Sequence, residues 1–258
     1  ILEDCAPEDV TPEAFVDVPQ KRIVFDFTYD GILRSYEDSI ARLGTDRIDI
    51  LFLHDIDVKT AGLGGEDHNL RQLFSQGGYR ALSELRDADR IAAIGAGVNT
   101  WQICERLLGE AEFDGFLLAG RYTLLEQTPL DSFLPLCTRR DVGIILGGPY
   151  NSGILATGAV EGARYDYAPA PEPIMQRVRN LSEVCAAHGT SLIAAALQFP
   201  LGHDAVKSVI PGGATSEEVR QNVAIFNSPV PTALWSDLKS EGLIRADAPT
   251  PTEDGDAA

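Results

Sequence analysis

A chain of 258 residues with 44% hydrophobic and 23% charged side chains has an ordinary globular make-up, with room for one large domain or two small ones. Its 21 Lys and Arg against 39 Asp and Glu leave a formal charge of −18, which repels phosphate backbones and anionic lipid and argues against nucleic acid or a membrane as a partner. No apolar run approaches the roughly 20 residues that span a bilayer, and the first residues lack the pattern of a signal peptide, so a cytoplasmic protein is expected.

In chain order, residues 1–22 are acidic and Pro-containing and read as a loop or linker with at most one short helix. From about residue 23, short apolar β-branched runs alternate with helix-length amphipathic segments, the signature of a parallel sheet built from strand-helix units. Strands are predicted at 48–54 (IDILFLH), 91–98 (IAAIGAGV), 114–119 (DGFLLA), 142–147 (VGIILG) and 206–211 (VKSVIP), each nearly all apolar as strands buried on both faces are. Helices are predicted at 29–43, 79–86, 101–108, 130–140, 173–188, 192–199 and 217–226, with Gly44 and Gly189 placed as C-terminal caps. Gly62, Gly64 and Gly65 lie in a polar insertion after the first strand and read as flexible loop. Residues 23–244 are expected to form one partial (β/α)8 domain, and 245–258, Pro-rich and acidic without apolar anchors, a disordered tail. Cys5, Cys104, Cys137 and Cys185 form no CxxC pair, and buried free thiols are expected for the last three.

The polar and special residues sit at the C-terminal ends of the strands: His54 and Asp55, Asn99, Arg121 and Tyr122, 149–152, and 212–215. Barrel active sites lie at those ends, whereas an open doubly wound sheet gathers its site at one switch point, so a barrel is favoured. Gly95 and Gly97 form a GxG after a strand, but Thr100 stands where a dinucleotide fingerprint needs its third Gly. His54 ends an apolar strand and is suited to hydrogen-bonding an oxygen whose charge changes during reaction. A rival reading makes His54, Asp55, Asp57 and His68 ligands of a divalent metal in a barrel hydrolase, although HDxD is not a recognised ligand spacing and His54 and Asp55 would point to opposite faces. Gly147, Gly148, Pro149, Tyr150, Asn151, Ser152 and Gly153 follow a buried strand directly, with glycines that let a ligand approach the backbone and polar donors suited to phosphate. Ile210, Pro211, Gly212, Gly213, Ala214 and Thr215 lead into a helix whose capped N-terminus attracts an anion.

Taken in order, Tyr36-Glu37-Asp38-Ser39 with Arg42-Leu43-Gly44, the DRID of 46–49, Leu53-His54-Asp55, IGAGVNTW of 94–101, LAGRYTLL of 118–125, LGGPYNSGIL of 146–155, ARYDYAP of 163–169 and the stretch 209–222 resemble the aldo-keto reductase superfamily. Within it they resemble the branch of aldose and pyridoxal dehydrogenases, over nearly all of residues 20–243. The resemblance implies a (β/α)8 barrel that transfers hydride between a nicotinamide nucleotide and a carbonyl or alcohol without a Rossmann domain. It implies oxidation of an aldose of L-fucose or D-threo-aldose type at C1 to the lactone, or of a related alcohol or aldehyde such as pyridoxal. His54 corresponds to the family's catalytic histidine. The family's Asp and Tyr after the second strand and its Lys on the third have no counterpart here, and Lys21 is no substitute, so this chain is expected to be a C-terminal part of such an enzyme, without the first three strands and inactive by itself. A truncated barrel that binds nucleotide without chemistry is therefore a further alternative.

By the same resemblance Asn99 binds the nicotinamide carboxamide, Ala119 replaces the usual Gln and Gly147 the stacking aromatic, and the segments 147–153 and 210–215 with Gln221 and Asn222 surround the cofactor. Asp55, Trp101, Arg121 and Tyr165 are candidate substrate contacts, and Tyr167 a further pocket wall. NAD is expected over NADP, because Gly212 and Glu218 stand where NADP-preferring members carry cations.

Overall fold

The computed structural model describes residues 1–10 and 17–252. The chain divides into two compact units, 1–94 and 95–258. The first contains β1 (Leu2–Asp4), β2 (Lys21–Ile23), α1 (Tyr29–Leu43), β3 (Ile50–His54), α2 (Val58–Ser75), α3 (Gly78–Asp87) and the start of β4 (Ala93–Val98). Helix α1 forms where the 3.6 spacing of Ile32 and Tyr36 gives one buried face; Thr28 caps its start by accepting from Gly31 N, and Gly44, at φ 64, ends it in the left-handed region. The Asp49 carbonyl accepts from the Ala92 and Ala93 amides and sets the start of β4.

The second unit continues β4 and adds α4 (Trp101–Glu110), β5 (Gly115–Ala119), α5 (Phe133–Arg140), β6 (Gly143–Gly147), the single turn α6 (Ile154–Thr157), β7 (Arg164–Tyr165), β8 (Ala168–Pro169), α7 (Glu172–Ala187), α8 (Leu192–Gln198), β9 (Val206–Ile210), α9 (Ser216–Phe226) and α10 (Thr232–Ser240). β4, β5, β6 and β9 pair in that order, all parallel, with Val98 opposite Leu118, Ala119 opposite Gly147 and Gly147 opposite Ile210. Gly120, Gly148 and Pro211 therefore leave the sheet at neighbouring positions, which is what builds the site. The core beneath is Phe116, Leu118, Phe133, Ile144 and Leu146, all fully buried. Phe199, Tyr122 and Trp235 extend it, with ring centroids 5.3 and 6.2 Å from Phe199 to the other two.

Every strand expected between 48 and 211 is present, shortened by one or two residues at its ends. Three expectations are corrected, and one helix is added to those expected. The insertion at Gly62, Gly64 and Gly65 is not loop but part of α2, capped by Asp57 and broken only at Gly62, where φ is 72. The burial of Leu73, Asn69 and Glu66 outweighs the glycines' poor helix propensity. Helix α10 went unrecognised. Around the expected short helix, seen as a 3-10 turn at Pro7–Asp9, the first 22 residues also hold β1 and most of β2, antiparallel, with Lys21 Nζ 2.7 Å from Asp4 and Arg22 bonded to Glu3. Finally, the stretch expected as a tail from 245 is packed at its start: Ala248 is fully buried, and Arg245 is bonded to Asp131 and Asp247 and, through its amide, to Gln127 Oε1 at 2.9 Å. Residues 253–258 lie outside the described residues, as do 11–16 of the expected linker.

Cys104, Cys137 and Cys185 are buried and outside any disulfide; burial pushes the thiols of Cys137 and Cys185 up to about 12 and about 11. Among the described residues no single helix is long and apolar enough to cross a membrane.

Candidate functional site

In the second unit a cleft of about 340 Å³ opens at the C-terminal ends of β5, β6 and β9, lined by Ala119 to Arg121, Gly148, 150–153 and Gly212, with Asp166 and Tyr167 on its remaining side. The three strand ends are cross-tied. The Gly120 amide donates to Gly147 O at 2.8 Å, and Asn151 Nδ2 donates to Gly120 O at 3.0 Å. Thr123 Oγ1 donates to Asn151 Oδ1 at 2.6 Å. Asn151 is 6% exposed, so its side chain joins the loops after β5 and β6, and part of the hydrogen-bonding capacity expected for a ligand is spent on the scaffold. Left-handed backbone at Gly148, Asn151, Ser152 and Gly153, with φ of 59, 47, 59 and 98, turns this loop sharply back on itself. Pro149 is buried, whereas Gly148 and Ser152 are exposed.

Tyr150 connects this loop to the segment after β9: its hydroxyl donates to Asn222 Oδ1 at 2.7 Å, and Asn222 Nδ2 donates to Gly212 O at 3.3 Å. Burial pushes the Tyr150 phenol up to about 12, so it stays a neutral donor at physiological pH. At the start of α9 the Thr215 hydroxyl accepts from Glu218 N at 3.2 Å, while the Glu218 carboxylate reaches back to accept from Ala214 N at 2.7 Å. This reciprocal arrangement is a capping box displaced by one residue, and it shapes the loop 211–215. Gly212 has open space where a side chain would stand, whereas Gly213 packs under Val219. Ile210 ends β9 half exposed, and Gln221 is turned to Glu217 on the helix surface.

Arg121, at the end of β5, donates through Nε to Asn99 O and through Nη2 to Asp166 Oδ1, each at 2.7 Å. Asp166 and Tyr167 form the two-residue tip of the β7–β8 hairpin, both left-handed with φ of 49 and 65, as a type I′ turn requires. The tip is also held by the Tyr167 amide, which donates to Ser152 Oγ at 2.9 Å. Tyr165 donates to Glu126, and burial together with that carboxylate raises its phenol well above the usual tyrosine range. Asp166 and Glu126 were not singled out from sequence; the signal available was the Tyr-Asp-Tyr of 165–167, whose central Asp readily takes left-handed backbone.

Trp101 heads α4, donates to Thr128 Oγ1 at 3.3 Å and stacks on Phe133 at 6.4 Å, a packing role away from the cleft lining. His54 stands at the C-terminal end of β3 in the first unit, 82% exposed, with Asp55 Oδ1 3.8 Å from its Nε2 and Asp55 at φ 53. Among the described residues no three His, Cys, Asp or Glu side chains converge as a metal-binding group.

Residues 16–241 match the aldo/keto reductase family. The chain is 46% identical over 223 residues to pyridoxal 4-dehydrogenase of Microbacterium luteolum, covering 86% of this chain and 65% of that protein. It is 36% identical over 228 residues to D-threo-aldose 1-dehydrogenase of a Pseudomonas species, covering 88% and 65%. It therefore spans a little under two thirds of the length of these curated relatives. Among solved structures, an aldo-keto reductase of Bacillus halodurans in its holo form superposes with a TM-score of 0.66 at 23% identity, over 87% of this chain and 70% of that one, a likeness of fold. With the match covering most of the chain, and parallel strands that direct their polar residues to one end, the chain belongs to the aldo/keto reductase family.

Proposed function

We propose that this chain carries the cofactor-binding wall of a nicotinamide-dependent oxidoreductase acting on a cyclic aldose at C1 or on pyridoxal. The observation that supports it most is the cleft itself: a guanidinium, a left-handed glycine-bearing loop and the loop before a capped helix N-terminus, gathered at three adjacent strand ends. These residues fit a dinucleotide: Gly148 and Gly212 leave the backbone accessible, and Arg121 offers positive charge. Asn99, Tyr150, Asn151, Ser152, Gly153 and the segment 210–215 with Gln221 and Asn222 are the proposed cofactor contacts. Bound NAD would accept the hydride from the substrate carbon. The two relatives, named for pyridoxal and for aldoses, share a substrate chemistry, because both compounds form cyclic hemiacetals whose oxidation yields a lactone. His54 is the proposed donor to the substrate oxygen, and its exposed ring at a strand end suits that role. The family's general acid/base Tyr and its Asp and Lys have no counterpart assigned in residues 1–258, so binding of NAD without turnover is expected of this chain.

NAD is proposed over NADP. Glu217 and Glu218 begin α9, and Arg220 is drawn to Glu217 at 3.3 Å. A 2′-phosphate would meet carboxylates there, whereas a 2′-hydroxyl can donate to the Glu218 oxygen left over from the Ala214 bond. The difference is worth about 1–3 kcal/mol, roughly tenfold to a hundredfold in affinity. Calorimetric titration of NAD and NADP tests both parts: NAD is expected to bind more tightly, and Glu218→Arg to shift the ratio toward NADP by tenfold or more. Failure to bind either nucleotide overturns the cofactor reading, and tighter NADP binding by the unsubstituted chain overturns the preference.

A further inference from the structure

We propose that Arg121 is the phosphate-binding side chain of the cleft and that Asp166 holds its place as an internal carboxylate, which an incoming phosphate displaces. This rests on the dinucleotide reading of the cleft and goes beyond it, since it names the group that takes the charge and the group that competes. Among the described residues lining the cleft, Arg121 is the only cation and Asp166 the only anion, and they are paired with each other at 2.7 Å. The Arg121 side chain is 20% exposed, so it keeps an open face, while Asp166 at 39% is the more accessible partner.

The guanidinium is aimed before any ligand arrives. Nε is fixed on the Asn99 carbonyl, a bond that involves no charge partner and persists whichever anion occupies the other edge. Nη1 lies 4.0 Å from Glu126 Oε1, beyond hydrogen-bond range, and Glu126 is engaged by Tyr165. The Nη edge is therefore the part that can exchange partners. A diphosphate bridge offers the same two-oxygen match as a carboxylate and carries two negative charges in place of one.

Asp166 is well placed to yield. It sits at the tip of a hairpin whose two strands are two residues each, on backbone of positive φ, with the large Tyr167 beside it in the same region at 65% exposure. Asp takes that conformation readily, but the bulkier Tyr167 is held in it by its surroundings, and the contacts at the tip include the Arg121 pair, the Ser152 bond to the Tyr167 amide and the bond from Arg164 to the Tyr167 carbonyl. Replacing the first of these by a phosphate leaves the hairpin attached through the other two. The cleft thus carries a substitute anion when empty, which avoids an uncompensated guanidinium beneath the hairpin, and the ligand must outcompete it. An exposed ion pair of this kind is worth up to about 1 kcal/mol, so it lowers apparent affinity by roughly two- to fivefold.

The test is calorimetric titration of the 258-residue chain with NAD, with inorganic pyrophosphate, and with nicotinamide riboside, which lacks phosphate. Asp166→Asn is expected to tighten NAD and pyrophosphate about two- to fivefold and to leave nicotinamide riboside unchanged. Arg121→Gln is expected to weaken both phosphates about tenfold or more, Arg121→Lys less, and in the Arg121→Gln background Asp166→Asn should have no further effect. Ser152→Ala, which loosens the hairpin without freeing the guanidinium, should not tighten either phosphate. Unchanged or weaker phosphate binding in Asp166→Asn, or equal tightening in Ser152→Ala, overturns the exchange. If NAD does not bind but pyrophosphate responds to both substitutions as stated, the exchange stands and the dinucleotide reading falls. If neither phosphate binds to the chain or to Asp166→Asn, both fall.

Discussion

Asn151 and His203 show how single side chains hold the second unit together. Asn151 is buried with its carbonyl oxygen on Thr123 and its amide on Gly120 O, so Thr123→Val strands a buried acceptor and is expected to lower stability by about 1–3 kcal/mol in chemical denaturation. The double variant with Asn151→Ala should lose less than the sum of the two single changes, because both sever one bond. His203 is 8% exposed, edge-on to Tyr122 at 5.9 Å, and its Nδ1 accepts from Ala205 N at 3.2 Å. Burial lowers its pKa below the usual histidine value of 6.5. The folded state therefore binds its proton less readily than the unfolded chain, so its contribution is complete above about pH 6.5 and is lost progressively as pH falls below that value. Thermal melts between pH 8 and 5 should show the decline, and His203→Gln should flatten it; an unchanged slope in that variant would assign the decline to other groups.

Among the elements, α3 and α9 depend on opposite features. Helix α3 begins at Gly78, where an added Cβ would lie 1.9 Å from the Phe27 carbonyl oxygen, in backbone that cannot yield like a side-chain tip. Gly78→Ala is expected to destabilise by about 1–3 kcal/mol or more, measured by denaturation. Helix α9 has no buried residue, and its Val219, Val223 and Phe226 line, with Leu197, Leu201 and Val209, a largely apolar groove of about 440 Å³. With so little packing to hold it, its N-terminal cap matters more than usual. Thr215→Ala is expected to cost about 1 kcal/mol, and hydrogen exchange should localise the loss of protection to 216–226 while the β5 and β6 amides keep theirs. Both helices were placed from the apolar spacing of the sequence to within a residue at each end, and the sequence offered Thr215 or Ser216 as the cap of α9, of which the structure uses Thr215. Helix α2 was not, because its glycines argue locally for loop and only the burial of Leu73, Asn69 and Glu66 overrules them.

Taken whole, the molecule carries a charge of −18, and most of the ion pairs seen among the described residues lie at the surface, such as Lys21–Asp4, Arg47–Asp49 and Arg179–Glu172. Exposed pairs are worth about 0–1 kcal/mol each, and salt weakens them. The unbalanced carboxylates repel one another across the entire surface, and salt screens that as well. With nearly two acids for each base, repulsion outweighs pairing, and the melting temperature is expected to rise as sodium chloride is raised from low concentration to physiological strength. A fall would mean that the pairs dominate.

The sequence by itself determined the strands, most helices, the direction in which polar residues gather and the family, because parallel strands buried on both faces must be continuously apolar and can change to polar residues only where they end. It also marked the loops 147–153 and 210–215, whose glycines and cap are local signals. Which side chains line the cleft was decided only in three dimensions. Asn151 reads as a ligand donor in sequence and its side chain also ties the loops after β5 and β6 together, Trp101 reads as a pocket wall and stacks on Phe133, and Arg121 acquires its partner from Asp166, 45 residues away. Such pairings depend on the register that brings Ala119 beside Gly147 and Gly147 beside Ile210. That register is fixed by the packing of the whole sheet rather than by any local stretch, so no short motif could contain it.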